Sequence, residues 1–265
     1  MLKWIIQKNL IKEEILTSFR AAFQELSIAY EEVLVIPFSD ELPNFSPAPL
    51  NIFYGSTTLM LNAYHSPYRS GVFYNPEKFT SQRYVEKWGK HMLNADGHSL
   101  RFEDFVAKKL ETQSSWFIRP NSDDKSFAGG TMSKEEIADF YDKIQHIDNP
   151  KLNSQSLIFV ASPKKIKKEW RNFIVGGKIV ASSRYALNGN LNVSTQDISK
   201  NMIDFAEART KEFAPHDIFV MDLAETSNGY KIIECNCFNG TGFYQHDIKE
   251  IVKSISEYLQ KGMNN

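Results

Sequence analysis

Between Glu169 and Asn236 the chain carries two β-rich runs that each fold back on glycine, and this pattern constrains the fold most. "EWRNFIVGGKIVASSRYAL" doubles back at Gly176-Gly177, and "DIFVMDLAETSNGYKIIECN" turns near Asn228-Gly229. Glycine between alternating apolar residues is a strong hairpin signal, because tight turns use positive φ. A helix from about Asp197 to Phe213 separates the two hairpins. An amphipathic helix follows, with Ile248, Ile251, Val252, Ile255 and Leu259 on one face. Residues 164–265 therefore form one α+β lobe.

The start of the chain reads differently. "LKWIIQ" is an apolar first strand, and Ile11, Ile15, Leu16, Phe19, Ala22, Phe23 and Leu26 recur at helical spacing. "EEVLVIP" reads as a second strand closed by Pro37, and Phe38 to Pro49 as a loop rich in Pro, Ser and Asn. "NIFYGSTTLMLNAY" is a strand, a Gly55-Ser56 turn and a helix. "GVFYN" is a further strand and Thr80 to Trp88 a further helix. Strands alternating with helices imply parallel pairing, so residues 1–90 form a small parallel α/β layer. Residues 91–163 give a second α+β lobe. It holds a helix face at Phe102, Phe105, Val106 and Leu110, the strand "SSWFIRP" and the polar loop "NSDDKSFAGG". A helix through Ile147 is capped by Ser133 with Glu136, and the apolar strand "SLIFVAS" closes the lobe.

The chain has 265 residues and a net charge of −1, so no global basic field points to nucleic acid or an anionic membrane. No apolar run reaches the length of a membrane span, and the N-terminus lacks a signal-peptide pattern. A cytoplasmic location is expected. The two cysteines, Cys235 and Cys237, sit two apart on a strand, a poor geometry for a disulfide. They are also too few for a closed thiolate zinc site unless other ligands join. The lysines of "PKKIKKEW" are read as a solvated stretch, and the six histidines show no ligand-like spacing.

The chemistry gathers in the second hairpin. Alternation puts Glu234 and Asn236 on one face of a strand and the cysteines on the other. A carboxylate beside an amide oxygen offers hard ligands suited to Mg²⁺. Asp222 on the preceding strand joins them only in one register. A three-residue turn, Ser227 to Gly229, or an equivalent bulge, sets Asp222 opposite Glu234, whereas a one-residue slip turns it away. An exposed, solvated sheet face is the alternative reading of these three residues.

"VMDL…GYKIIECNCFNGTGF" resembles the metal-binding end of the ATP-grasp superfamily, where an acid on one strand precedes a Glu-x-Asn on the next and a glycine-containing substrate loop follows. The resemblance covers nearly the whole chain. It implies the small α/β layer followed by the two α+β lobes of an ATP-grasp domain. It also implies that Asp222, Glu234 and Asn236 hold Mg²⁺, two ions being expected, on the phosphates of ATP. "WFIRP" is similar to the strand whose basic residue meets the phosphates, with Arg119 where the family usually has Lys. "SDDKSFAGG" resembles the loop that covers the phosphates and would supply Lys125. "SLIFVAS" resembles the hinge strand, so the backbone at Phe159, Val160 and Ala161 would read adenine. "EWRNFIVGGKIVASSRY" is similar to the family's Glu-x-Arg strand and its partner, which would bring Arg171 and Arg184 to the phosphates or the acyl group. Asn239, Gly240 and Thr241 would contact substrate, a plain connecting loop being the alternative. A substrate role for Gly55-Ser56 is weighed against a simple turn.

The implied activity is ADP-forming ligation of a small-molecule or peptide carboxylate to an amine through an acyl phosphate. Alternatives are a small-molecule kinase on the same fold, a catalytically silent nucleotide-binding module, and a thiolate metal site at Cys235 and Cys237. Nucleic acid is not expected as a partner on charge grounds.

Overall fold

The computed structural model describes residues 2–37, 39–123, 125–147 and 152–263. Phe38, at the start of the expected loop, and Asp124, in the polar loop, lie outside the described residues.

The first layer comprises β1 (Leu2–Gln7), α1 (Glu13–Leu26), β2 (Ala29–Val33), β3 (Leu50–Tyr54), α2 (Thr57–Tyr64) and α3 (Ser81–Trp88). Its three strands are parallel in the order β2-β1-β3. Glu13 and Glu14 sit in the first turn of α1, where the helix dipole favours negative charge. β3 is buried along its whole length, as a strand in a covered parallel sheet must be. Two expectations shift. The second strand ends at Val33, where its pairing with Gln7 ends, leaving Leu34 and Ile36 exposed. "GVFYN" forms no strand. Phe73 is buried there, but its N–H donates to the Asn239 side chain instead of a ladder.

The middle lobe contains β4 (His98–Arg101), α4 (Phe102–Lys108), β5 (Ser115–Pro120), β6 (Gly130–Ser133), α5 (Lys134–Gln145) and β7 (Leu157–Ala161). Its antiparallel sheet has the order β4-β7-β5-β6. The capping box at Ser133 and Glu136 is formed, each satisfying a free N–H at the start of α5.

The last lobe holds β8 (Lys168–Val175), β9 (Lys178–Leu187), β10 (Asn190–Ser194), α6 (Lys200–Glu212), β11 (Ile218–Thr226), β12 (Gly229–Asn236) and α7 (Ile248–Met263). Its five strands run β10-β9-β8-β11-β12. The two expected hairpins are β8-β9, turning on Gly176 and Gly177 at positive φ, and β11-β12.

The first layer and the last lobe share their interiors. Trp4 and Ile52 pack in one cluster with Phe173, Val220, Phe238 and Ile251. Phe53 and Trp88 pack in another with Trp170, Phe219 and Cys235. The middle lobe keeps a separate core around Phe102, Phe105, Trp116 and Ile158. Among the described residues no helix is long and apolar enough to cross a membrane.

Candidate active site

β8, β11 and β12 lie side by side, so alternate residues on each strand gather on a common face. Arg171 is opposite Asp222, and Asp222 is opposite Glu234. Glu234 and Asn236, two apart, share that face, while Trp170, Ile232 and Cys235 enter the core on the other.

The register depends on a bulge. The turn is two residues long, with Thr226 paired to Gly229, rather than the three-residue loop considered from sequence. Continued regularly, that pairing would set Asp222 opposite Ile233. An extra residue in β12 moves the register by one, and Glu234 takes the place.

Each carboxylate is held by a guanidinium. Arg171 grips Asp222 at both oxygens, at 3.0 and 2.7 Å, and its third nitrogen donates to the Gly242 carbonyl at 3.1 Å. Asp222 is only 2% exposed. Arg119, reaching from β5 across to β12, pairs with Glu234. Burial opposes the charged form of Glu234, but Arg119 and Arg171 outweigh it and hold its carboxyl below the usual range. Asp222 shifts upward, because burial together with the Glu234 charge exceeds the pull of Arg171.

Two further pairs complete the surroundings. The Tyr185 hydroxyl donates to Glu169 at 2.9 Å, and Tyr185 stacks on Tyr244 at 5.0 Å. Arg171 lies over both rings. Burial raises the Glu169 carboxyl, partly offset by Tyr185. From the middle lobe, Asp123 accepts the Cys237 N–H at 2.8 Å, and Lys125 donates to the Gly240 carbonyl at 2.8 Å. Burial lifts Asp123 to about 6. Together these groups border a cleft of about 580 Å³ between the lobes, with Arg119, Lys125, Lys164, Glu169, Tyr185 and Glu234 on its walls.

The donor set suits a hard cation. Asp222, Glu234 and Asn236 present carboxylate and amide oxygens on one face. The Asn236 side-chain nitrogen is buried without a partner at hydrogen-bond geometry, though the amide lies near enough to Glu234 to favour its charge. Among the described residues no group of three or more His, Cys, Asp and Glu side chains is disposed to hold a metal. A cation here would draw on Asn236 and on ligand oxygens, the manner in which Mg²⁺ binds beside phosphates.

Several expected residues stand elsewhere. Arg184 is not in the cleft. A regular two-residue turn in β8-β9 would put it opposite Glu169, but an irregularity near Ile179 slips the register and sets it opposite Trp170. There it pairs with Asp197 at 2.6 Å. Tyr185, at a second bulge, faces the cleft in its stead. Phe159 and Val160 are flanked by β4 and β5 on both sides, so no free strand edge remains for adenine. Ala161 ends β7, and Lys164 and Ile166 beyond it line the cleft. Asn239 is fully buried. It accepts from Phe73 N and donates to the carbonyls of Phe53 and Gly71, so its side chain is a pin between layers rather than a substrate contact. The Thr241 hydroxyl is likewise used on the Cys237 carbonyl. Gly240 keeps its place at a second cavity of about 250 Å³, which Gly55, Ser56 and Gly242 also line. The thiolate alternative fails because both cysteines are buried and burial pushes their thiols well up, keeping them protonated.

Sequence reasoning did not single out Glu169, Tyr185 or Asp123. Glu169 was legible as the acid of the Glu-x-Arg strand, two residues from Arg171 on the same face. Tyr185 needed the bulge, which leaves no mark in the sequence.

A face carrying two carboxylates and an amide, beneath a cleft between two α+β lobes, defines a nucleotide-binding fold of the grasp type. The chain belongs to the ATP-grasp superfamily: residues 70–255 match the model of an ATP-grasp domain, the third family of its clade. No curated protein sequence matches the chain. Among solved structures, D-cycloserine synthetase DcsG superposes with a TM-score of 0.66 at 11% identity, covering 98% of this chain and 100% of its own. D-alanine–D-alanine ligase from Bacillus anthracis gives 0.60 at 13% identity, covering 98% and 97%. The ATP-grasp ligase PsnB, complexed with a phosphomimetic variant of minimal precursor, Mg and ADP, gives 0.57 at 9% identity, covering 97% and 98%. At these identities the likeness establishes the fold.

Proposed function

We propose that this chain is an ATP- and Mg²⁺-dependent ligase that activates a carboxylate as an acyl phosphate and joins it to an amine, forming ADP. The observation that carries this reading is the face shared by Asp222, Glu234 and Asn236, with Arg171 beside it and Arg119 across from it. In the first step a carboxylate oxygen bonds to the γ-phosphorus and the bond to ADP breaks. In the second the amine nitrogen bonds to the acyl carbon, phosphate leaves and the amine loses a proton. In-line phosphoryl transfer depends on alignment and charge neutralisation and needs no protein nucleophile.

Bound Mg²⁺, taken as two ions, would neutralise phosphate oxygens as charge shifts among them. Asp222, Glu234 and Asn236 would hold it. Arg119 and Arg171 would turn their planar forks from carboxylate to phosphate or acyl oxygens, which offer the same geometry. Lys125 would add a positive charge at the rim. The adenine contact would fall to the chain from Ser162 to Lys167, just beyond β7. Gly240 and Gly242 would present backbone groups to a substrate carboxylate, opposite the N-terminus of α2 at Gly55-Ser56, a favourable place for an anion. The same reading divides the chain into an N-terminal layer over 1–90, a first lobe over 91–163 and a second over 164–265. The fold neighbours named for small-molecule products and for a precursor support either substrate size.

The test is ATP turnover with pools of carboxylic acids and amines, read as ADP, phosphate and new amide mass. ADP formation that requires both acid and amine, and that is lost in Glu234→Ala with the fold intact, is expected. ADP formed with a hydroxyl acceptor alone would replace the ligase reading with a kinase.

A further inference from the structure

The middle-lobe loop after β5 touches the last lobe at two points, and both lie on the junction between the metal strand and the glycine loop. Asp123 accepts the N–H of Cys237, the peptide directly after Asn236. Lys125 donates to the carbonyl of Gly240, at the end of the short helical turn Phe238–Gly240. The base of the loop is fixed. The Asn121 carbonyl accepts from Ser81, and its side chain accepts from Gln82 and Ser99. Asp123 is 5% exposed, a costly place for a carboxylate that does nothing but solvate itself.

We infer that Asp123 is a positioning residue that clasps the nucleotide-covering loop to the Asn236–Cys237 peptide, and so sets the Asn236 amide for the Mg²⁺-bearing nucleotide. The inference rests on the ligase reading for its ligand but not for its geometry. A carboxylate accepting a backbone N–H makes a short, charge-assisted bond, and here it fixes the peptide plane one bond from a metal-ligand residue. Lys125 supplies the second arm and is exposed, so it can leave Gly240 for a phosphate while Asp123 stays in place. The clasp thereby ties arrival of the nucleotide on the middle lobe to the shape of the loop that meets the other substrate.

The test compares Asp123→Ala and Asp123→Asn in the full chain. Asparagine keeps an oxygen that can accept the Cys237 N–H, and alanine does not. Hydrogen exchange at the Cys237 amide should quicken at least tenfold in Asp123→Ala and stay near the parent in Asp123→Asn. Affinity for a non-hydrolysable ATP analogue with Mg²⁺ should fall at least tenfold in Asp123→Ala. Affinity for ADP in EDTA should change less than about twofold, and asparagine should restore the first. A merely structural role would lower both affinities together. An unchanged Cys237 exchange rate, equal losses with and without Mg²⁺, or an asparagine variant as poor as alanine would each overturn the clasp. Should Asp123→Ala not fold, Asp123→Ser, too short to reach Cys237, replaces it with the same expectations. If the parent binds no Mg²⁺-nucleotide, the ligase reading fails, and exchange at Cys237 alone decides the clasp.

Discussion

The middle lobe packs Phe102, Phe105, Trp116, Ile137 and Ile158 against one another, whereas the first layer and the last lobe have no such independence. Phe238, just past the metal strand, meets Trp4, Tyr54 and Phe73 of the first layer and Phe173 of β8. Burial of apolar surface thus welds those two regions into one body. The middle lobe approaches the metal face largely through polar contacts: Arg119 to Glu234, Asp123 to Cys237 and Lys125 to Gly240. Polar contacts exchange with water at small net cost, while a shared apolar core does not. The contrast suits a site that must open for a nucleotide and close over it, with the metal ligands on the rigid side.

Removing one large ring from each core separates the two regions most sharply. Phe238→Ala should cost roughly 3–5 kcal/mol and lower the unfolding transition of the whole body. Phe105→Ala should cost a similar amount, but with early loss of hydrogen-exchange protection confined to residues 98–161. A single concerted loss of protection across the chain in Phe105→Ala would break the comparison.

The pin between layers comes next. Asn239→Ala leaves two carbonyls and one N–H of the first layer without their buried partner. A loss of about 2–4 kcal/mol in urea unfolding is expected, with little change in the middle lobe.

Acid should act on the body too. His246 accepts from Tyr244 N at Nδ1 and so carries its proton on Nε2, facing the Arg171 carbonyl. Burial lowers its pKa from 6.5 to about 4. Between those values the unfolded chain binds a proton that the folded chain refuses, so stability falls as pH drops through that window. The fall reaches about 3 kcal/mol at most. An NMR titration that finds His246 charged at pH 6 in the folded protein would remove this contribution.

The smallest effect concerns the cross-cleft pair. Arg119→Lys keeps the charge but gives up the planar fork, and global stability should move by less than about 1 kcal/mol. Exchange in residues 115–125 should nevertheless rise, since one of the few ties across the cleft weakens.

Much of this architecture was legible because it follows from side-chain chemistry. The glycines of the two hairpins, the Ser133–Glu136 box and the apolar spacing of α1 and α7 each state their local structure directly. The short strands β4, β6 and β10 were not legible, since "HSLR", "GTMS" and "NLNVS" carry no apolar alternation and exist only because a neighbour pairs with them. In the site, bulges made the difference in both directions. One extra residue in β12 brings Glu234 opposite Asp222, and an irregularity in β9 takes Arg184 away and leaves Tyr185 facing the cleft. Both readings used the same rule of alternation. A bulge is decided by the whole sheet and not by the residues it displaces.

The most direct test is a crystal grown with Mn²⁺ in place of Mg²⁺ and a non-hydrolysable ATP analogue, read by the anomalous signal of the metal. The account predicts a peak within coordination distance of Asp222, Glu234 and Asn236, with Arg119 turned from Glu234 toward the phosphates. A bound nucleotide whose metal lies away from those three side chains, or with both arginines still on their carboxylates, would contradict it.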